Sequence, residues 1–314
     1  YEVVNGENFE RLKDLLQEAD IVIIHDPQPA PLLKYCRARK GKWVWRCHID
    51  ASRPFRPVWK YLRNFIRNYD ASIYSLPAFA QPMPHPLYII PPSIDPLSDK
   101  NIVLDTAEIN EICTEYGLDP ERPIISQVSR FDRFKDPVGV IQAYRMARAF
   151  GPPLQLVLAG GTASDDPEGE EVMAEVTSAA QDDPDVHVLL LPPDAHRTIN
   201  AIQRLSTIVL QKSIKEGFGL TVTEALWKGK PVIGGDAGGI RLQVVNHQTG
   251  FLVNTAEGAA LRIRYLLKHR DRLQEIGETA RTFVLENYLL TRHLREYLTL
   301  MVAIVKNSTD RIEL

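Results

Sequence analysis

The sequence of 314 residues is poor in cysteine and has no long apolar segment and no block of basic residues. Its three cysteines, Cys36, Cys47 and Cys113, are spread out, so they form neither a disulfide framework nor a zinc motif. The longest apolar runs are of strand length, which excludes a membrane-spanning helix. A net charge of −3 gives no indication of nucleic-acid binding. We therefore expect a globular protein of a reducing compartment, the cytoplasm, with neither nucleic acid nor membrane among its partners.

Several catalytic signatures are also missing. The sequence has no Gly-x-Ser-x-Gly nucleophile elbow, no phosphate-binding P-loop and no His-Glu-x-x-His zinc motif. Gly160-Gly161 follows an apolar run, but the third glycine of a dinucleotide-binding fingerprint is lacking. The acidic segments Asp165-Asp166 and Asp182-Asp183-Pro184-Asp185 flank a helical pattern and are typical of solvated turns. The sequence therefore predicts no metal site formed by the protein.

Apolar runs of strand length alternate with segments of helical periodicity along the chain. The first run is Ile21-Val22-Ile23-Ile24 and the last is Phe251-Leu252-Val253. Continuous apolar strands between helices are typical of buried parallel sheets, so we expect an α/β fold with doubly wound, Rossmann-like sheets. A proline-rich stretch at residues 91–96 is the best linker candidate and divides the chain into domains of residues 1–92 and 93–289. Two such domains are expected to face a cleft.

The stretch Glu216-Gly217-Phe218-Gly219-Leu220-Thr221-Val222-Thr223-Glu224 is the strongest candidate for a ligand site. It joins the apolar run from Thr207 to Leu210 to a helical pattern that reaches Trp227, so a glycine-bearing loop connects strand and helix. Ligands of open α/β sheets bind at this position, where free N–H groups at a helix N-terminus favour phosphate. Paired glutamates are common by chance, and Glu224 also fits an ordinary first-turn glutamate. The loop context favours function, with both carboxylates accepting hydrogen bonds from hydroxyl groups.

Two further loops of the second half follow strands. Arg130 and Lys135 come after the run from Ile124 to Val128, and their charges could clamp a diphosphate. The alternative is a solvated charged loop, since exposed cations often contribute nothing measurable. The loop from Asp236 to Arg241 follows another strand and is equally compatible with a plain tight turn.

Polar residues also follow adjacent strands of the first half. Asp26 comes after the first apolar run, and His48 comes after the run Trp43-Val44-Trp45. Because parallel strands end at the same edge of a sheet, both side chains are expected at the supposed cleft. A lone histidine is more often structural, so at this point His48 has two equally good interpretations.

Taken together, Arg130, Lys135 and the spacing of Glu216 and Glu224 resemble the retaining nucleotide-sugar glycosyltransferases of family 4. The resemblance covers nearly the whole chain and implies the GT-B fold of two Rossmann-like domains. It also implies that a helix within residues 290–314 crosses back and completes the first domain. The family begins with a strand and a glycine-rich loop, whereas this sequence begins on a helical pattern. We therefore expect the first domain to lack its N-terminal βα unit.

A closer resemblance is to the trehalose-forming branch of that family. It is carried by the motifs from His25 to Pro29, from Trp45 to Asp50 and from Gly238 to Arg241, where many members instead have Pro-Glu after the glycine pair. The resemblance implies transfer of glucose from ADP-glucose or UDP-glucose to glucose, which gives α,α-trehalose with retention of configuration. The alternatives are a trehalose phosphorylase, which shares much of this pattern, and an inactive truncated nucleotide-binding fragment.

The resemblance also implies roles for individual residues. His48 would contact the transferred sugar, Glu216 would bind its hydroxyls, and Arg130 with Lys135 would stabilise the departing diphosphate. Glu224 would bind the ribose hydroxyls. The donor-binding set is Gly160, Gly217, Phe218, Gly219, Leu220, Thr221 and Glu224. Weaker candidates for acceptor contacts are Asp26, Gln28, Gly238 and Arg241.

The resemblance implies no tightly bound cofactor. The ligands would be the nucleotide-sugar donor, with Mg²⁺ allowed on its diphosphate, and glucose or trehalose. A homodimer is also compatible with the family. Because the reaction of these enzymes is thought to occur on one face of the sugar, no protein nucleophile is required, in agreement with the missing nucleophile motifs.

Overall fold

The structure is a computed structural model that describes residues 1–161, 167–181 and 183–306. The strands, all paired in parallel, are β1 (Ile21–His25), β2 (Lys42–Cys47), β3 (Ala71–Tyr74), β4 (Leu87–Ile89), β5 (Ile124–Val128), β6 (Gln155–Gly160), β7 (Val186–Leu190), β8 (Ile208–Gln211), β9 (Val232–Gly235) and β10 (Gly250–Val253). The helices are α1 (Glu2–Glu18), α2 (Leu32–Tyr35), α3 (Arg56–Ile66), α4 (Thr106–Glu115), α5 (Pro137–Arg148), α6 (Pro167–Ala180), α7 (His196–Leu205), α8 (Leu220–Trp227), α9 (Ile240–Gln243), α10 (Ala256–Lys268), α11 (Arg270–Asn287) and α12 (Leu290–Val305).

The chain divides into two compact units, each with its own sheet. Unit 1 contains residues 1–92 and the chain from Thr291, and unit 2 contains Ser93–Leu290. The sheet of unit 1 has the strand order β1-β2-β3-β4, and that of unit 2 has the order β10-β9-β8-β5-β6-β7. The alternation of buried parallel strands and helices that the sequence predicted is confirmed in both units.

In unit 1 the helix α12 covers one face of the sheet. Leu300 and Ile304 of α12 form a buried cluster with Val44 and Ile73. Long apolar side chains on one stripe of the helix therefore complete the core of this unit. Residues 307–314, the end of the segment expected to form this helix, lie outside the described residues.

The prolines after the first apolar run predict a helix that begins there and runs to about Arg39, but the observed helix is much shorter. Only Leu32–Tyr35 is helical, and the N–H groups of Ala30, Leu32 and Lys34 bond to carbonyls three residues back. Prolines at positions 27, 29 and 31 have no N–H to donate, so a continuous ladder of α-helical bonds cannot form there. The proline-rich loop therefore replaces most of the predicted helix.

In unit 2 helices cover both faces of the six-stranded sheet. Alternate residues of β5 and β6 enter two separate clusters, with Ile125 and Leu156 in one and Ile124 and Val157 in the other. Strand order changes direction at β5, because β6 and β7 lie on one side of it and β8 to β10 on the other. Ligands of doubly wound sheets bind at such a switch point, so the loops after β5 and β8 are where a site is expected.

Gly117 ends α4 in a left-handed conformation that favours glycine. Its φ is +64°, the Leu118 N–H donates to the Cys113 carbonyl at 2.8 Å, and the Gly117 N–H donates to the Thr114 carbonyl at 3.4 Å. These two bonds form a Schellman motif, which satisfies carbonyls that the helix end would leave unpaired.

Replacing Gly117 with alanine is expected to destabilise unit 2 by about 1 kcal/mol, because a Cβ is unfavourable at positive φ. The midpoint of thermal unfolding should fall by about 2–4 °C. Gly258→Ala is the matched control, since Gly258 lies in the first turn of α10 and an added Cβ would meet no atom closer than 3.5 Å. Equal midpoints for the two variants would contradict this account of the helix end.

Candidate functional site

An ion pair of low exposure joins the loops after β5 and β8. Lys135 Nζ lies 2.7 Å from Glu216 Oε2, and the two side chains are only 15% and 9% exposed. Ser213 Oγ donates a second hydrogen bond to the same carboxylate oxygen at 3.0 Å. Because β5 and β8 are neighbours at the switch point, the fold brings these residues together across more than eighty positions of sequence. Exclusion of water strengthens the interaction of such groups with any charge placed beside them.

The position of Lys135 is fixed by the backbone around it. Residues Arg133–Lys135 form a 3₁₀ turn, and Asp132 Oδ1 accepts a hydrogen bond from the Lys135 N–H at 3.2 Å. Gln127 Nε2, at the end of β5, donates to the Lys135 carbonyl at 3.0 Å. The backbone of Lys135 is therefore held by a turn and by the end of β5, which limits the positions that its ammonium can take.

A second ion pair lies beside the first. Lys212, 6% exposed, forms an ion pair with Asp136. Asp136 is the N-cap of α5, with φ of +50°, and its Oδ1 atom accepts a hydrogen bond from the Gly139 N–H at 3.1 Å. The Gln127 Oε1 atom accepts from the Lys212 N–H at 3.1 Å. Lys212 is thus neutralised by its own partner and leaves Lys135 as the cation nearest Glu216.

The loop from Glu216 to Gly219 is packed tightly against the loop after β9. The Gly239 N–H donates to the Gly217 carbonyl at 2.9 Å, and Gln243 Nε2 donates to the Phe218 carbonyl at 2.7 Å. A Cβ on Gly238, whose φ is +46°, would lie 1.8 Å from the Glu216 carbonyl oxygen. Gly238 is therefore required by packing, a reason independent of any acceptor contact.

The N-terminus of α8 lies directly after this loop. The helix begins at Leu220 with Gly219 as N-cap at φ of +83°, and no side chain of the described residues caps it. Thr221 Oγ1 donates instead to Gln211 Oε1 at 3.3 Å. The Val222 N–H donates to the Gly219 carbonyl at 2.9 Å, and the other N–H groups at the start of the helix, together with the positive end of its dipole, can bind an anion. The side chain of Phe218 is buried, so only its backbone is available to a ligand.

Glu224 lies beyond the first turn of α8 and is only 5% exposed. Its Oε2 atom has no hydrogen-bond partner within the part of the chain that the structure describes. Burial raises the pKa of this carboxyl, and the positive charges of Lys100 and Lys228 oppose that shift. Lys228 Nζ donates to the Glu224 carbonyl at 3.2 Å and to Gln203 Oε1 at 2.9 Å. The backbone of Glu224 is thus held in place, and its Oε2 atom can accept a hydrogen bond from a ligand hydroxyl.

Three sequence-predicted residues of unit 2 are not part of the ion pair. Arg130 is 64% exposed, with its nearest carboxylate oxygen, that of Asp132, at 3.6 Å. Gly160 ends β6, and a Cβ there would lie 1.8 Å from the Ser129 carbonyl oxygen, so close strand packing explains the glycine. Arg241 folds back on its own loop, donating from Nε to Asp236 Oδ1 at 2.6 Å.

The predicted residues of unit 1 lie at one edge of its sheet. The His48 N–H donates to Asp26 Oδ1 at 2.8 Å, and Trp45 Nε1 donates to the Asp26 carbonyl at 3.0 Å. Asp26 has a φ of +65°, which turns the chain sharply after β1. Gln28 is exposed, and its carbonyl accepts from Asn5 Nδ2 at 3.0 Å. The structure thus brings Asp26 and His48 together and places Gln28 in the loop that follows.

Several residues that shape the site were missed by sequence reasoning. Gln127, Ser213 and Gln243 are single polar residues within or after apolar runs, and no local pattern distinguishes them. Only the position of Lys212 and Ser213, shortly after a predicted strand, could have indicated from the sequence that they lie near the site. Asp165 and Asp166, expected to be solvated turns, lie outside the described residues. Within the described part of the chain, no group of three or more histidine, cysteine or carboxylate side chains could hold a metal ion.

Replacing Ser213 with alanine is expected to lower the turnover of this site about twofold to fivefold, or roughly 0.5 to 1 kcal/mol. The hydroxyl helps to orient the Glu216 carboxylate, while the Lys135 ion pair remains. Thr282→Ala is the control, because among the residues that the structure describes that hydroxyl bonds only the Glu278 carbonyl within α11. Steady-state rates at saturating substrate measure the effect, and equal rates for both variants would show that the Ser213 contact does not orient Glu216.

Comparison with known proteins identifies the family. A model described as the trehalose synthase N-terminal domain matches residues 1–81, and the glycosyl transferases group 1 model matches residues 108–283. The trehalose synthase of Pyrococcus horikoshii is 46% identical over 301 residues, which cover 95% of this chain and 72% of that protein. The chain belongs to the trehalose synthase family of glycosyltransferases. The predicted resemblance is thereby confirmed, and the protein is a trehalose-related hexosyltransferase.

More distant relatives share parts of the pattern. The trehalose phosphorylase of Pleurotus pulmonarius is 31% identical over 283 residues, which cover 77% of this chain and 38% of that protein.

None of the helices in the described ranges combines the length and apolar character that crossing a bilayer requires.

Solved structures confirm the fold class. Sucrose-phosphate synthase of Thermosynechococcus elongatus matches with a TM-score of 0.78 at 19% identity, over 98% of this chain and 79% of its own. An Anabaena protein solved with UDP and glucose matches with a TM-score of 0.77 at 16% identity, over 94% and 81% of the two chains. Such low identities show the fold alone, and that fold is GT-B, as the trehalose synthase family resemblance implied.

Proposed function

We propose that this protein transfers glucose from ADP-glucose or UDP-glucose to glucose and forms α,α-trehalose with retention of configuration. The observation that carries the proposal is the Lys135–Glu216 ion pair at the switch point of the sheet, next to the uncapped N-terminus of α8. A nucleotide sugar has both an anionic diphosphate and a polyol, and this arrangement offers a partner for each.

The diphosphate would bind near Lys135 and the first turn of α8. As the bond between C1 of glucose and the diphosphate oxygen breaks, negative charge develops on the leaving group. The low exposure of Lys135 and its fixed backbone supply a preorganised positive charge at that point. Arg130 is exposed and could reach the same diphosphate as a second, more mobile cation. Any Mg²⁺ would arrive with the diphosphate.

The two carboxylates would bind the hydroxyls of the donor. Glu216 would accept hydrogen bonds from the transferred glucose, and Glu224 would accept them from ribose. Among the described residues, Glu224 Oε2 has no hydrogen-bond partner, which supports this role. A buried acceptor without a partner costs free energy, and a hydrogen bond from a ligand hydroxyl would remove that cost. The Anabaena structure with UDP and glucose supports a donor of this chemical class.

Retention would follow from reaction on one face of the sugar. The bond from C1 to the diphosphate oxygen breaks, a bond from C1 to the acceptor hydroxyl forms on the same face, and the hydroxyl proton passes to the leaving diphosphate. Under this proposal His48 contacts the transferred glucose, and Asp26, Gln28, Gly238 and Arg241 are the candidates for acceptor contacts. No side chain forms a covalent intermediate in this scheme.

The second candidate is trehalose phosphorolysis, favoured by the identity shared with the Pleurotus phosphorylase. In that case Arg130 and Lys135 would bind inorganic phosphate. Thermal unfolding with ADP, UDP or inorganic phosphate distinguishes the two functions, because a ligand of the native state raises stability by mass action. The transferase proposal predicts a higher unfolding midpoint with a nucleoside diphosphate; a shift with phosphate alone would contradict it.

A further inference from the structure

A second histidine contacts His48 in unit 1. His25 Nδ1 lies 2.7 Å from His48 Nε2, the ring planes differ by 10°, and the ring centroids are 5.0 Å apart. The centroids are much farther apart than the two nitrogens, so the rings meet edge to edge in nearly one plane. This is the direction in which an imidazole N–H donates to an imidazole lone pair.

The backbone holds both rings in place. His25 is the last residue of β1 and is in register with Arg46 of β2, two positions before His48. The turn at Asp26 places its Oδ1 atom 2.8 Å from the His48 N–H, and the Asp26 N–H donates to the Arg46 carbonyl at 2.8 Å. The contact between the two imidazoles therefore follows from the strand register and this turn.

The electrostatic surroundings favour the neutral form of the pair. Burial lowers the pKa of both imidazoles, the charge of Arg46 lowers each further, and Asp26 opposes these shifts. His293 of α12 also lies nearby, since the charge of His48 lowers its pKa. Arg46 itself is 1% exposed, whereas His25 and His48 lie at the surface. Two neutral imidazoles joined by one hydrogen bond have their tautomers fixed together.

We propose that His25 is a positioning residue for His48, fixing the orientation and tautomer of its ring for contact with the transferred sugar. Whichever ring donates the hydrogen bond between them, one of the two outer nitrogens, His25 Nε2 and His48 Nδ1, is a donor and the other is an acceptor. Neither atom has a partner within the described ranges. Because a sugar hydroxyl both donates and accepts, the pair suits a polyol. This inference rests on the proposed function, in which His48 contacts glucose.

The test compares His25→Leu with His25→Asn, whose amide lies near the position of Nδ1. With saturating donor, His25→Leu is expected to lower kcat about fivefold while the affinity for nucleoside diphosphate stays unchanged. His25→Asn should recover activity to within about twofold of the wild type. His269→Leu is the control, since within the described ranges that ring bonds only the Tyr265 carbonyl and packs on the Tyr265 ring, both in its own helix region.

Nitrogen-15 NMR of the histidine rings tests the contact without turnover. The His48 titration is expected to change in His25→Leu, because the shared hydrogen bond and the repulsion between two protonated rings are both lost, and the tautomer of His48 should become mixed. An unchanged His48 titration, or an asparagine variant no better than leucine, would overturn the inference. If the titration shifts but the wild type forms no trehalose, the proposed function fails while the pairing of the two rings stands.

Discussion

Lys135→Ala is expected to lower the rate of glucosyl transfer at least about tenfold, or roughly 1.4 kcal/mol of transition-state stabilisation. The ammonium is 15% exposed and lies where the leaving diphosphate gains charge in the proposed reaction. Glu216→Ala should have an effect of at least the same size, because the sugar hydroxyls then lose their acceptor and Lys135 loses its partner. Since the two groups form one ion pair, the double variant should be little worse than either single variant.

Initial rates of nucleoside diphosphate release measure these effects. The matched control is Lys215→Ala, because Lys215 is an exposed lysine of the same region whose Nζ lies 5.3 Å from the centroid of the Phe134 ring. Its loss should leave the rate within about twofold of the wild type, as is usual for exposed charges. Near-normal rates in both the Lys135 and the Glu216 variants would show that the site has been assigned to the wrong residues.

Glu224→Gln is expected to weaken binding of a nucleoside diphosphate about tenfold to a hundredfold. The change replaces a charged acceptor of the ribose hydroxyls by a neutral one, and hydrogen bonds to charged groups contribute about 1.5–3 kcal/mol. Binding of inorganic phosphate, which has no ribose, should be unaffected. Isothermal titration with ADP, UDP and phosphate measures the difference.

The same variant should be more stable than the wild type at neutral pH. Burial raises the pKa of Glu224 above its unfolded value, so ionising this group in the folded state costs free energy. The folded state binds this proton more tightly than the unfolded state does. The resulting contribution to the free energy of unfolding is fully present below the unfolded pKa and is lost as the pH rises through the folded pKa. The gain from glutamine is therefore expected at neutral pH and should vanish as both states become protonated, toward about pH 4.

Glu286→Gln is the control for both measurements, since Glu286 is exposed on α11. It should change neither the nucleotide affinity nor the unfolding midpoint. If Glu224→Gln binds nucleoside diphosphates as tightly as the wild type, Glu224 does not bind ribose.

Local sequence patterns predicted most of the elements but few of the contacts. The strand before Glu216 and the helix after it were evident, because continuous apolar runs and helical periodicity are local properties. The Lys135–Glu216 pair depends on β5 and β8 being neighbours, and strand order is set by packing that no single segment encodes. Sequence reasoning placed both loops after predicted strands, yet it could not predict that the two side chains meet.

Other features were missed for the same reason. Phe218 lies within a loop that suggested ligand contact, but its ring is buried against Tyr288, with centroids 5.7 Å apart. Gly238 was considered for an acceptor contact, whereas its missing side chain is explained by the Glu216 carbonyl that it approaches. His25 attracted attention only as part of a motif, because its contact with His48 requires the register of two strands. In each case a nonlocal neighbour determines the role.

Product analysis tests the central proposal most directly. The protein would be incubated with unlabelled glucose and either ADP-glucose or UDP-glucose labelled with carbon-13 in the sugar, and the products followed by NMR. The account predicts α,α-trehalose labelled in one ring, with one nucleoside diphosphate released for each disaccharide and no requirement for phosphate. Formation of a β linkage, or no trehalose from either donor while trehalose and phosphate yield glucose 1-phosphate, would contradict it.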